Sequence, residues 1–379
     1  MTLIHLLGAA ALVLSAIGTA YAIAAGAFAG RLSNRQASNG GTPTPLTLLK
    51  PLCGAEPGLR ANLESFLAQD YTSPVQLVLG VQDPADPALA VAEALRRDHP
   101  QADIAVVIDP RVHGANRKVS NLVNMLAEAT HPVLVLSDAD IAVRPGYLSR
   151  VAQALGEPGV GAVTCYYRGE ARAGAASRMA AMGVSYGFLP NVIVGVALGL
   201  AKPCMGSTIA IRRETLERIG GFEALNDVLM DDYEVGRAVR ALGQQVALPP
   251  FLVDHGCSEA SLAEVWAHEM RWAVTVRMID PFGHLGSVVT HPLAWALIGT
   301  AMFAGAPVAW AMAFVALASR LWLKARIDRA GGASSGPAIL LPLRDIMSFA
   351  IFCGSLFAVA VYWRGKRFRV SSGRTISPA

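Results

Sequence analysis

Paired cysteines are missing from this chain. The five it has, Cys53, Cys165, Cys204, Cys257 and Cys353, are scattered and odd in number, and no C-x-x-C occurs. That argues against both a disulfide framework and a structural zinc site. Charge is scarce too. Only 16% of residues are charged and 53% are hydrophobic, a balance too apolar for an ordinary cytosolic enzyme and one that suggests membrane spans. The net charge of +4 is small and spread out, so nucleic acid has little support as a partner. No internal repeat is visible.

What is present begins with a long apolar run, Leu3–Ala29, interrupted only by His5, Ser15, Thr19 and Tyr21. No basic residue precedes it, and Arg31 and Arg35 come after it, the reverse of a signal peptide's charge order. Residues 1–32 are therefore expected to form an uncleaved transmembrane anchor, with the chain after Arg31 in the cytoplasm. The polar, Gly- and Pro-containing stretch 33–45 reads as a linker. Apolar character returns at Val288–Ala318, with Gly305 and Pro307 at its centre, and at Ile346–Trp363. The basic clusters Arg320–Arg329 and Arg364–Arg369 both favour the cytoplasm, so two single crossings do not suffice and a helical hairpin or interfacial segment is expected. This gives C-terminal membrane helices over 286–363 and a basic cytoplasmic tail over 364–379. The near-uncharged stretch Val184–Ala201 lies between acidic motifs. If those motifs form one site, it must dip into the membrane surface or pack inside, and it is a candidate for meeting a lipid.

Between these segments, 46–285 reads as one globular domain. Short apolar runs at Leu46–Leu49, Val75–Val81, Ile104–Ile108 and Val133–Leu136 alternate with helical patterns at Pro57–Gln69, Ala88–Arg97 and Val119–Ala129. Such alternation predicts an α/β fold, a mostly parallel sheet wrapped by helices, with ligands at the carboxyl ends of the strands. Carboxylates cluster there: Asp83 after the second strand, Asp138 and Asp140 after the fourth. In an extended run, residues two apart face the same way, so Asp138 and Asp140 could share a hard divalent cation bridging to a diphosphate. A strand-to-helix turn with Asp as a cap is the other possibility. A second acidic group, Asp231, Asp232 and Glu234, comes after Gly220-Gly221-Phe222, and it too has a plain alternative as an exposed helix start. Farther on, Arg271 and Trp272 stand together on a predicted helix, where an Arg can brace a leaving diphosphate and an indole can wall off a sugar.

In order, LKPLCGAEPGLRANLESF (Leu49–Phe66), VQDPADPA (Val81–Ala88), NRKVSNL (Asn116–Leu122), SDADI (Ser137–Ile141), CMGSTIAIRRETLERIGGF (Cys204–Phe222), MDDYEVG (Met230–Gly236) and HEMRW (His268–Trp272) resemble the ceramide glucosyltransferase family. This is a membrane-bound, inverting branch of the GT-A nucleotide-sugar transferases. The ending WRGKRFRV (Trp363–Val370) is similar as well. The resemblance implies a Rossmann-like GT-A catalytic domain in which Asp83 binds the uracil or ribose of the donor and Asp138 contacts the nucleotide. It further implies that Asp140 holds Mg²⁺ or Mn²⁺ and that Asp232 is the general base. Lys118 and Asn121 would touch the donor, and Arg271 and Trp272 would complete a Q/R-x-x-R-W element. His268 departs from that pattern, standing where Gln or Arg is found.

The implied reaction is a single displacement from a UDP-sugar to a lipid hydroxyl, requiring no nucleophile on the enzyme. The acceptor would be a hopanoid polyol, with UDP-N-acetylglucosamine as donor, or ceramide, with UDP-glucose. The expected location is a bacterial inner membrane, the chain multi-pass and its catalytic domain cytoplasmic. Two alternatives stand beside this: a processive polysaccharide synthase, which would have more spans, and a membrane scaffold with a dead transferase fold.

Overall fold

The computed structural model describes residues 3–32, 44–358, 360–363, 366–369 and 377–378. The expected linker and basic tail fall largely outside them. Four apolar runs form adjacent parallel strands: β1 (Leu46–Pro51), β2 (Val75–Val81), β3 (Asp103–Ile108) and β4 (Val133–Leu136). The inner strands are apolar without alternation because helices cover both sheet faces. Those helices include α2 (Leu59–Leu67), α3 (Pro87–Asp98) and α4 (Arg117–Leu126). Asp86 caps α3, with Pro87 in its first turn, and Asn116 caps α4 through the amides of Lys118 and Val119.

The seven-stranded sheet has the order β3-β2-β1-β4-β8-β6-β9. Here β8 (Ile209–Arg212) is antiparallel to β4 and to β6 (Val160–Val163), and β9 (Gln245–Ala247) closes the edge. With β2 on one side of β1 and β4 on the other, the chain changes direction at β1. The crevice at such a switch point is where open α/β sheets bind ligands. A smaller sheet joins β5 (Ile141–Ala142), β10 (Leu252–Cys257) and β7 (Tyr166–Ala171) over this crevice.

Among the described residues, four helices are long and apolar enough to cross a membrane: α1 (Leu3–Ala29), Gly174–Ala197, α13 (Pro307–Gly331) and Ala338–Phe357. α12 (Pro292–Met302) precedes α13, and the turn between them holds Ala304 and Gly305 at φ of 50° and 77°. The break expected near Gly305-Pro307 is thus a helical hairpin. α1 lies on α12 and α13 through small residues, among them Gly18, Ala22 and Gly26. A Cβ at Gly26 would sit 2.2 Å from the Trp322 ring, and one at Gly18 would sit 2.3 Å from the Val289 carbonyl. Without a hydrophobic drive between helices in lipid, this close backbone approach is what binds them.

The Gly174–Ala197 helix consists of α6 (Gly174–Gly183), a π-turn (Val184–Phe188) and α7 (Leu189–Ala197). It is apolar but internal: 67% of its most apolar window is buried, against 28% for α1. Tyr21 of α1 bonds Asn191, and the Tyr186 hydroxyl bonds Asp328 at 2.5 Å. Arg320 forks onto Asp345 of α14 (Leu341–Phe357) and also donates to the Tyr186 carbonyl at 2.7 Å. The loop after α13 docks in turn on the small sheet. Ser335 bonds the Gly169 carbonyl and Ser185, both at 2.7 Å, and Arg168 reaches the Ala333 carbonyl at 3.2 Å.

Candidate active site

β1 and β4 end at the crevice, where β1 brings Lys50 and the turn after β4 brings Asp138 and Asp140. Lys50 is the last-but-one residue of β1 and is fully buried. Its ammonium donates to the Asp138 carbonyl at 2.8 Å and to Ser137 Oγ at 3.1 Å, and it sits 3.7 Å from the centre of the Phe66 ring. Burial, against the opposing pull of Asp140 and Asp138, lowers its pKa to about 7. Lys50 therefore supports the acidic turn from below. Lys50→Met keeps the chain length and removes the donors. It is expected to weaken nucleotide binding about tenfold, since stranding a buried acceptor costs about 1–3 kcal/mol. Calorimetry showing unchanged UDP affinity would remove this role.

Asp138-Ala139-Asp140 is not extended. The Ile141 amide bonds the Asp138 carbonyl at 3.3 Å and closes a turn. The two carboxylates consequently meet different partners. Asp138 Oδ1 pairs with Lys118 at 2.6 Å, and Asp140 Oδ2 lies 3.5 Å from His255 Nε2. Lys118, in the first turn of α4, also lies 3.3 Å from Asp231. Burial alone would lower its pKa, but Asp138, Asp231 and Asp232 together hold it above the ordinary lysine value. Gly206 is the residue that permits this close packing: a Cβ there would sit 2.6 Å from Asp138 Oδ2 and 3.2 Å from Lys118 Nζ.

Asp231 and Asp232 open α9 (Asp231–Ala241), and their environments differ. Asp231 is buried and also bonds Asn116 at 3.3 Å. Asp232 is half-buried and accepts from the Gly206 amide at 3.0 Å and its neighbour's amide, Tyr233, at 2.7 Å. Burial first, and then the Asp231 charge, push its carboxyl up to about 6.

The remaining residues singled out from sequence take up a range of settings. Asp83 is exposed at the carboxyl end of β2 in a turn with the Ala85 amide. Asn121 is buried, its amide donating to the Gly80 carbonyl at 2.8 Å. α10 (Leu262–Ile279) carries His268, Arg271 and Trp272. His268 Nδ1 lies 2.7 Å from Glu259 Oε1, and its ring meets Trp272 edge-on at 4.5 Å.

Three contributors escaped sequence reasoning besides Lys50: His255, Tyr167 and Phe188. The His255 and Phe188 rings each stack on Tyr167, at 5.5 Å and 5.0 Å, and Trp272 touches both of those outer rings. The detectable signal was Asp254-His255 inside an apolar strand. A G-x-S-x-G string, Gly332–Gly336, has nucleophile-elbow spacing, yet it lies in the loop after α13 with its serines bonded to Lys324 and Gly169.

Asp140 Oδ1 is buried and has no hydrogen-bond partner among the described residues. Burial, then the nearby charges of which Asp138 raises it, put its pKa above the usual carboxylate value. A cation would relieve both. No three His, Cys, Asp or Glu side chains converge on one point among the described residues, so a cation here would draw its remaining ligands from substrate and water, as Mg²⁺ commonly does.

The mannosyltransferase from Pyrobaculum calidifontis, solved with GDP-Man and Mn²⁺, matches with a TM-score of 0.52 and 21% identity, covering 93% of this chain and 98% of that one. The fold is GT-A. Ceramide glucosyltransferase 1 of Caenorhabditis elegans is 23% identical over 351 residues, 87% of this chain and 72% of that protein. The ceramide glucosyltransferase of Komagataella phaffii is 32% identical over 114 residues, 29% of this chain and 22% of its own length. The model of glycosyl transferase family 21 matches residues 9–376, nearly the whole chain, and this membrane protein belongs to that family.

Proposed function

We propose that the protein transfers a sugar, with inversion, from a UDP-sugar to the hydroxyl of a membrane lipid, forming a glycolipid. The donor is UDP-N-acetylglucosamine or UDP-glucose, and the acceptor a hopanoid polyol or ceramide. The observation that carries this is that Asp232 and Asp138 both bond the Gly206 backbone, which joins the half-buried Asp232 to the Asp138-Ala139-Asp140 turn in one crevice. Ceramide glucosyltransferase relatives support a lipid acceptor.

Asp232 takes the proton of the acceptor hydroxyl as its oxygen bonds the anomeric carbon. Each carboxylate oxygen keeps a lone pair after accepting one backbone amide. The bond from that carbon to the diphosphate breaks, and its electron pair leaves on UDP. Lys118 and Arg271 present positive charge to the departing group, Asp138 orients the nucleotide, and Asp83 meets its uridine end. A divalent cation, Mg²⁺ or Mn²⁺, would be held by Asp140 and would supply further positive charge for the leaving diphosphate. The catalytic crevice faces the cytoplasm of a bacterial inner membrane.

Mass spectrometry of lipid extracts from cells with and without the gene tests the function. A lipid heavier by one hexose or one N-acetylhexosamine should appear only with the gene, and its mass names donor and acceptor together. Identical lipid profiles, with no UDP released by purified protein given that extract, would refute it.

A further inference from the structure

The ring stack His255–Tyr167–Phe188, walled by Trp272, runs from the acidic turn to the interior apolar helix. Its two ends differ in kind. His255 faces Asp140, a charged end suited to a diphosphate and a cation. Phe188 is the last residue of the π-turn in Gly174–Ala197. π-Turns inside α-helices cost regular hydrogen bonding and recur at functional sites. Here the wider turn carries Phe188 onto Tyr167 and Trp272. Beyond α7 the chain exposes Leu198 and Leu200, and α7 packs on α1. Aromatic side chains thus lie between the helix packed on α1 and the carboxylates.

Tyr167 stands at the middle of the stack. It is buried, and through its ring contact with His255 it lies beside the Asp140 carboxylate.

We propose that Phe188, Tyr167 and Trp272 form the acceptor subsite, which takes the neck of a long-chain lipid alcohol. Phe188 and Trp272 hold the apolar portion next to the head, and the Tyr167 hydroxyl bonds the acceptor oxygen and aims it at Asp232. The subsite rests on the function proposed above and deepens it.

Two measurements on the full chain test it. In the first, a long-chain alcohol carrying a diazirine is photolysed with the protein in detergent micelles. Labels are expected within Val184–Phe188 and at Trp272, and excess unlabelled alcohol should remove them. Labels confined to the outer faces of α1 and α13 would overturn the subsite. In the second, Phe188→Ala should raise the KM for the lipid acceptor at least tenfold while UDP affinity moves less than twofold, and Phe188→Tyr should restore the acceptor KM. Equal loss of acceptor and UDP affinity would make Phe188 a prop of the whole site and overturn its role. Labelling at these residues by a protein that transfers no sugar would uphold the subsite and refute the transferase function instead, so the two failures are distinct.

Discussion

Asp232→Asn should bind UDP as the parent protein does and lose at least about a hundredfold in kcat, the lower range of what a general base contributes. The amide keeps the shape, and one of its atoms can still accept from the Gly206 or Tyr233 amide. What it cannot do is take a proton. Asp231→Asn acts elsewhere: Asp231 pairs with Lys118 and Asn116, so its loss should loosen Lys118 and raise the donor KM with a smaller effect on kcat. The pH profile supplies an independent check. Asp232 must be ionised to act, and its pKa is pushed up to about 6 by burial and Asp231, against Lys118 and the Tyr233 amide. Turnover should therefore fall as pH drops through about 6, well above the value of about 4 for a free carboxyl. A dead Asp231→Asn beside an active Asp232→Asn would transfer the base to the other carboxylate.

Asp140→Asn should abolish transfer, and EDTA should reproduce the loss in the wild type until Mn²⁺ or Mg²⁺ is restored. The reason is the unpartnered Asp140 Oδ1 in a buried setting, an oxygen that only a cation or a ligand can satisfy. The amide both lowers the charge and puts a donor where a cation would sit. A readout other than turnover is available: Mn²⁺ binding followed by electron paramagnetic resonance should be lost in Asp140→Asn and retained in Asp232→Asn. Full wild-type activity in EDTA, or equal Mn²⁺ binding by both variants, would remove the metal from Asp140.

The first four strands were legible because a parallel sheet buried on both faces writes itself as uninterrupted apolar runs. Val75–Val81 and Val133–Leu136 were placed to the residue. The hairpin at Gly305-Pro307 was legible for its helix breakers. The acidic motifs were legible as candidates, but their geometry was not. The extended reading of Asp138-Ala139-Asp140 failed because Ile141 closes a turn by a backbone bond that no side-chain pattern signals. Lys50 was hidden for another reason. A lysine ending an apolar run reads as the point where a strand meets water, and only the fold shows that two distant chain segments, at Ser137-Asp138 and at Phe66, enclose it. Tyr167, Phe188 and His255 come from β7, the π-turn and β10, far apart in sequence, so their stack exists only in three dimensions.

The loop that docks on the small sheet has a consequence for how the molecule is made. Ser335 and Ala333 satisfy Gly169, Ser185 and Arg168, interior groups of a part synthesised long before them. A ribosome-bound chain that has emerged only as far as α12 holds all the acidic motifs, yet lacks the Ser335 and Ala333 partners of Gly169 and Arg168. The small sheet therefore gains its full set of bonds only after the loop beyond α13 has been made. A chain stalled before that loop is expected to offer this edge of the small sheet to proteases.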